Sequence, residues 1–391
     1  MNLNIVFALC TTICKMLAVL TFFAILSNSV SGNDYAIIVS ALFISQLTSI
    51  IIDGGINSEI LSVSEHNSGA FADAFVISNA IRAFLYLLVS TLIFLYNAIF
   101  NGFHDAILYS LAFLSGSVSL IIETYSTKMK ISLEYKRDLL FTLIISLVLI
   151  FTSLMIGLSP FFIYLSLVFP RLVSILLYKE SRKIFNVIFS IKWSDVISSY
   201  SKRKYYSIDA ASSSINLQLD SLFLLILFGK ETYSLYQPLN KLYQSCISLS
   251  SAVTSYAIPR AHKLSSKKEK FMILFWVFLS FSLLISVGYF LFSKIVVSIF
   301  FGKAFSVDFN IILALALLLL LRYLSASFGC FLMIVGQQKL RSKANLLLTL
   351  LCLPFLLFTN SYFEILCVVI TGQFALLIVY MWMVRLEVSR T

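Results

Sequence analysis

Charge is scarce in this sequence, and what there is leans one way. Only 12% of the 391 residues are Asp, Glu, Lys or Arg, against roughly a quarter in ordinary soluble domains. The 29 basic residues outnumber the 18 acidic ones, for a net charge of +11. With 60% hydrophobic residues and a mean hydropathy of +0.95, no soluble domain of useful size fits. Other absences exclude whole chemistries. The three histidines, His66, His104 and His262, all fall in loops, and none has ligand or triad spacing with Cys, Asp or Glu. No Gly-Lys-Ser/Thr P-loop occurs, which rules out ATP hydrolysis by that route. The six cysteines (10, 14, 246, 330, 352 and 367) lie inside apolar runs, where a disulfide framework does not belong. The sequence therefore calls for no enzyme, no cofactor and no metal.

Long apolar runs are what the chain has in quantity. Twelve are read near 5–28, 35–61, 74–97, 105–125, 138–157, 161–178, 206–228, 233–259, 271–292, 308–334, 344–359 and 363–384. Most reach the roughly 20 residues that carry a helix across about 30 Å of hydrocarbon. The expected fold class is all-α and polytopic. Residues 1–28 are read as an uncleaved first span: Ser29-Val30-Ser31 resembles a signal-cleavage triplet, but no basic region precedes the run and Lys15 interrupts it.

The loops orient this bundle. Those after even-numbered spans, with the C-terminal tail, hold 21 of the 29 Lys and Arg; those after odd-numbered spans hold only Lys230, Lys294 and Lys303. Under the positive-inside rule both termini are cytoplasmic. Basic loops facing an anionic inner leaflet account for the positive charge without nucleic acid as a partner; membrane lipids are the partner instead. The longest hydrophilic stretch, about 179–205, reads as a short interfacial helix, with Ile184, Phe185, Val187, Ile188, Phe189, Ile191 and Trp193 among basic residues.

That stretch also divides the chain into halves of six spans, read as 1–190 and 191–391. A faint echo accompanies the division: Gly32 precedes Asp34-Tyr35-Ala36, and Gly229 precedes Thr232-Tyr233-Ser234. Six spans per half make a parallel repeat, about an axis along the membrane normal.

Five basic residues lie inside spans: Lys15, Arg82, Arg171, Lys241 and Arg322. Exposing all five to lipid would cost roughly 12 to 17 kcal/mol, at about 2.5 to 3.5 each. Snorkelling covers Arg171 and accommodates Arg82 less well; it does not cover Lys15 or Arg322. Helical spacing gives the polar residues a direction. Asp209, Ser213, Asn216 and Asp220 form one stripe, and Gln237, Asn240, Lys241, Gln244, Ser248 and Ser251 another. Thr11 with Lys15, and Gln46, Ser49 with Asp53, are fainter. For Ser and Thr alone, helix–helix adhesion explains such stripes; for the buried cations a wet lumen is the better reading. The candidate binding residues are thus Lys15, Arg82, Lys241, Arg322, Gln237, Asn240, Gln244 and Asn216. The candidate ion-coupling acids are Asp220, Asp209 and Asp53. Asp220, the deepest, either neutralises Lys241 or titrates. Pro238 allows a local helix break in the lumen.

Several of these positions resemble a known family. Ile13-Cys14-Lys15, Asn33-Asp34-Tyr35 and Ile52-Asp53-Gly54-Gly55 are similar to the start of bacterial polysaccharide-type flippases. Leu219-Asp220 with Gly229 and Tyr236, Lys241-Leu242 and Pro259-Arg260 continue the resemblance. So do Phe301-Gly302-Lys303-Ala304-Phe305 and Gly336-Gln337-Gln338. These flippases belong to the multidrug/oligosaccharidyl-lipid/polysaccharide (MOP) exporter superfamily. Gln218 stands where many relatives carry a basic residue, and Ser234 where they carry glycine.

The resemblance implies two six-helix bundles around a central cavity, in the bacterial inner membrane. It implies alternating-access transfer of an undecaprenyl-pyrophosphate-linked oligosaccharide, such as an O-antigen repeat unit, to the outer leaflet. A proton or sodium ion is then the candidate coupling ion and a glycan polymerase a candidate partner. Two rivals stand beside this reading: a drug exporter of the same superfamily, which an acid-dominated lumen would suit better, and a membrane polymerase or transferase of the same pathway. The latter usually needs a larger extracytoplasmic loop than the longest here, about 293–307.

Overall fold

A run of apolar residues in a chain with few prolines has one stable outcome in hydrocarbon, because every backbone N–H and C=O must be satisfied within its own helix. The computed structural model is accordingly helical throughout its described residues, 3–62, 69–178, 181–302, 305 and 308–389. His66, Lys179, Lys303, Ala304 and Arg390 lie outside them. The helices in chain order are α1 (Leu3–Ser29), α2 (Gly32–Asp53), α3 (Ile56–Ser62), α4 (Gly69–Phe100), α5 (Phe103–Ile131), α6 (Tyr135–Leu154) and α7 (Phe161–Leu177). Then come α8 (Ser181–Ile188), α9 (Trp193–Lys202), α10 (Lys204–His262), α11 (Lys267–Phe301), α12 (Phe309–Ile334), α13 (Gln338–Leu356) and α14 (Tyr362–Ser389).

All twelve expected spans fall on helices. Nine helices among the described residues are long and apolar enough to cross a membrane, counting the 59-residue α10 once. Gly229 breaks α10 with φ 81° and ψ 177°, so residues 204–228 and 230–262 are two helices end to end. The 17-residue α7 and the 19-residue α13 complete the twelve. Local chemistry sets several ends. The Ser31 hydroxyl caps α2 by accepting from the Asp34 N–H at 3.2 Å, and Gly54 stops the same helix in the left-handed conformation. The run expected at 35–61 is therefore two helices, since Gly54 and Gly55, both at φ 69°, separate α2 from α3. The stretch read as one short interfacial helix, about 179–205, holds two helices, α8 and α9. Side chains such as Leu284, Ile299, Leu147 and Phe355 are more than 60% exposed, as a lipid-facing surface requires.

The chain forms two compact units, residues 25–214 and residues 1–24 with 215–391. The expected halves were 1–190 and 191–391. In the 25–214 unit, α5 packs against α2, α4 and α7, and α6 against α7. An apolar cluster of Ile56, Ile60, Phe75, Tyr125, Tyr178 and Ile184 ties the end of that bundle to α8. In the other unit α12 is the central helix, packed on α11 and α14, with 72% of its span buried. Here α13 and α14 approach closely at Gly372, where an added Cβ would meet Cys352 Sγ at 2.5 Å.

Candidate functional site

Asn216 and Asp220 of the first polar stripe and Gln237, Asn240 and Lys241 of the second are buried in the 1–24/215–391 unit, whereas Asp209 and Ser213 fall in the 25–214 unit and Ser248 and Ser251 are exposed. Asp220, Gln237 and Asn240 are each 1% exposed, and Asn216, Lys241 and Arg322 no more than 7%. Burial of this many polar groups is tolerable only when partners meet them, and here the partners come from other helices. Arg322 of α12 donates to the main-chain carbonyls of Asn216 (2.8 Å) and Leu217 (3.0 Å), with its guanidinium 5.3 Å from the Tyr243 ring centroid. Asn216 accepts from the Thr349 hydroxyl at 2.8 Å and donates to the Asn345 carbonyl at 3.2 Å. Tyr362 of α14 sets its hydroxyl against Asn240 Oδ1 at 2.6 Å and Asp220 Oδ2 at 3.4 Å.

Lys241 stands apart from this network. Its ammonium lies 4.6 Å from the Phe23 ring centroid and donates to Gln244 Oε1 at 3.5 Å. Among the described residues no carboxylate pairs with it within 4.0 Å. Asp220 does not neutralise it: the cation whose field reaches Asp220 is that of Arg322, and its hydrogen-bonding partner is Tyr362. Gln218 Oε1, Asn240 Nδ2 and Asp220 Oδ1 are buried and meet no hydrogen-bonding group among the described residues. A charge and three polar atoms of this kind suit water or a polar ligand. Lys15 is half-buried on α1 of the same unit, as is Gln244 on α10.

The 25–214 unit uses its buried cations differently. Arg82 is 1% exposed and paired with Asp53, and it also donates to Asn79 and to Thr124 Oγ1. Arg82 thus serves as the structural counter-ion of Asp53 at the end of α2, and neither is an open group. Arg171 is likewise occupied, donating to the Ser115 carbonyl and hydroxyl at 3.2 Å each. Asp209 is buried at 1% exposure. Around Asp53, α9 and the start of α10 close on the end of α2. Tyr200 donates to the Ile52 carbonyl, Ser207 to the Gly54 carbonyl at 2.9 Å, and Arg203 pairs with Glu59 at 3.6 Å. Burial pushes the Tyr200 phenol up to about 12, with the Asp53 charge adding to it. That phenol therefore stays a hydrogen-bond donor.

The sequence stripes found Asp220, Asn240 and Lys241 but missed the tyrosines that organise them. Tyr243, Tyr289, Tyr323 and Tyr362 are all at most 4% exposed; Tyr289 donates to the Leu239 carbonyl at 3.4 Å and Tyr323 to that of Cys246 at 2.6 Å. Each reads as part of an apolar run, so no polar spacing marks it. Among the described residues no group of three or more His, Cys, Asp or Glu is placed to hold a metal ion.

The sequence matches no family model and no curated protein. Its fold does match solved structures. An outward-facing multidrug resistance MATE family transporter of the MOP superfamily superposes with a TM-score of 0.68 at 13% identity, covering 99% of this chain and 96% of that one. A second MATE structure, in complex with MaD5, gives 0.70 at 12% identity, over 99% and 94%. A MOP superfamily transporter from Pyrococcus furiosus gives 0.62 at 14% identity, over 98% and 94%. The chain has the MATE-type transporter fold of two pseudo-repeated helical bundles.

Proposed function

We propose that this chain is a transporter of the bacterial inner membrane that moves an anionic, lipid-linked oligosaccharide from the cytoplasmic to the outer leaflet. The observation that carries the reading is Lys241, a buried ammonium with no carboxylate partner among the described residues, in a polar, hydrogen-bonding interior. A pyrophosphate diester would supply the missing negative charge, and Lys241 meets it as a point charge from a flexible stem. Gln237, Asn240, Gln244 and Asn216 offer amides of the kind that read sugar hydroxyls. Asp220 remains the candidate coupling group, with proton or sodium as the ion. Both termini are then cytoplasmic, and a glycan polymerase is the expected downstream partner.

A drug exporter is the second reading, favoured by a solved neighbour described as a multidrug resistance transporter. Pocket polarity is the property that separates the two. The Pyrococcus furiosus neighbour is described as having a binding pocket of reverse polarity that suggests a different function. In the unit 1–24/215–391, three in-span cations (Lys15, Lys241 and Arg322) accompany one deep acid, Asp220, which suits an anion. The test is genetic: loss of the gene should strand single lipid-linked repeat units on the cytoplasmic leaflet. Wild type should clear them and Lys241→Gln should not. Normal glycan export in the deletion strain, with raised sensitivity to organic cations, would replace this reading by the second.

A further inference from the structure

The turn between α5 and α6 encloses a chemistry that the transport reading leaves unused. Tyr125, Tyr178, Lys128, Ser132, Glu134 and Arg137 border a cavity of about 90 Å³. A buried water needs about 10 to 15 Å³ on this measure, so the space admits a group of several heavy atoms. Its two tyrosines are the middle of a row of rings: Phe75 against Tyr125 at 5.2 Å, Tyr125 stacked on Tyr178 at 5.4 Å, and Tyr178 against Phe141 at 5.2 Å. A cation sits over each end of the row. The Lys128 ammonium lies 4.8 Å from the Phe75 centroid and the Arg137 guanidinium 5.3 Å from that of Phe141.

The turn backbone completes the rim. Ser132 N–H closes on the Lys128 carbonyl at 3.0 Å and Glu134 N–H on that of Met129 at 2.8 Å. Between them Leu133 takes φ 62°, a left-handed conformation that a leucine rarely adopts. The leucine side chain is 67% exposed. Glu134 holds Arg137 at 3.1 Å, but both side chains are about half-exposed, and a surface pair of that kind is readily exchanged for a stronger anion.

Residues bearing an ammonium, a guanidinium and a hydroxyl line this one small space, and those groups match the oxygens of a tetrahedral oxyanion. We propose that this pocket binds a phosphate group, from either a phospholipid headgroup or free phosphate. The proposal lies within residues 25–214 and does not depend on what the protein transports.

The test uses the full chain in nanodiscs of phosphatidylcholine alone or mixed with phosphatidylglycerol, comparing wild type, Lys128→Gln/Arg137→Gln and, as a control on other basic loops, Lys268→Gln/Lys270→Gln. Lipid retained on release is read by native mass spectrometry, and melting temperature with and without inorganic phosphate. Wild type and control should retain phosphatidylglycerol over phosphatidylcholine, and the 128/137 variant about ten-fold less. An equal melting temperature in phosphatidylcholine shows that this variant folds; Lys128→Gln alone serves if it does not. Selective phosphatidylglycerol retention identifies a headgroup site. A melting shift with inorganic phosphate, lost in the variant, identifies a free-phosphate site. Equal lipid retention by wild type and variant, with no response to phosphate in either, would overturn the proposal.

Discussion

Tyr362 of α14 holds Asp220 of α10 across the interior of its unit, hydroxyl to carboxylate at 3.4 Å, while the same hydroxyl lies 2.6 Å from Asn240 Oδ1. Residues from three helical segments thus meet at one phenol. The carboxylate that the sequence singled out is positioned by a tyrosine, with Arg322 as its neighbouring cation.

Coupling energies should follow that geometry. Tyr362→Phe removes a buried donor shared by two acceptors and is expected to cost about 1–3 kcal/mol of stability. A double-mutant cycle of Asp220→Asn with Tyr362→Phe should show an interaction of about 0.5 kcal/mol or more. The cycle of Asp220→Asn with Lys241→Gln should show less than that. Thermal melts in detergent read both; a strong Asp220–Lys241 term would restore the neutralising pair that the structure does not form.

Arg82 and Asp53 are each other's counter-ions in a buried site, so either alone is costly. Arg82→Leu should destabilise the protein by about 3–5 kcal/mol because it leaves Asp53 buried and unpaired, whereas Arg82→Leu/Asp53→Leu should recover much of the loss. Melting temperature and folded yield check this. No recovery in the double variant would mean that the pair does more than neutralise itself.

Gly55 is fixed by its backbone. At φ 69° an alanine there is strained, and its Cβ would press on the main-chain carbonyl of Tyr206. Gly55→Ala should cost more than the 1–3 kcal/mol of the conformation alone. Gly32→Ala, with nothing within 4 Å of its Cβ, should be near neutral when both are compared by thermal unfolding.

The spans were legible because hydrocarbon leaves a chain so few options. Length and hydropathy alone located even the short α7 and α13. Gly229 shows where that logic stops: its left-handed φ splits α10, and the sequence marks it only as one glycine in an outer loop. The candidate site was legible in part. Stripe periodicity put Asp220 on one face of residues 204–228 and Asn240 with Lys241 on one face of residues 230–262, and all three are buried in the same unit. It could not say that Lys241 turns to Phe23 and Gln244 while Arg82 turns to Asp53, since contacts between helices leave no periodic trace. The organising tyrosines were hidden for a related reason, their single polar atom being masked by an apolar ring.

Orientation is tested by cysteine-accessibility labelling in intact cells. The charge asymmetry predicts that positions 136, 183 and 268 are shielded from a membrane-impermeant reagent, and that positions 32, 104 and 230 are labelled. Labelling of position 268 from outside would invert the scheme.

The central claim, that a buried unpaired lysine serves an anionic lipid-linked substrate, is tested most directly in proteoliposomes. A polyprenyl-pyrophosphate glycan is loaded into one leaflet, and its appearance in the other is followed with and without a proton or sodium gradient. Wild type should move the glycolipid, and Lys241→Gln, at equal protein level and unchanged melting temperature, should move it at least about ten-fold more slowly. Glycolipid transfer unchanged by Lys241→Gln, or absent in wild type while an organic cation is exported, would contradict the account.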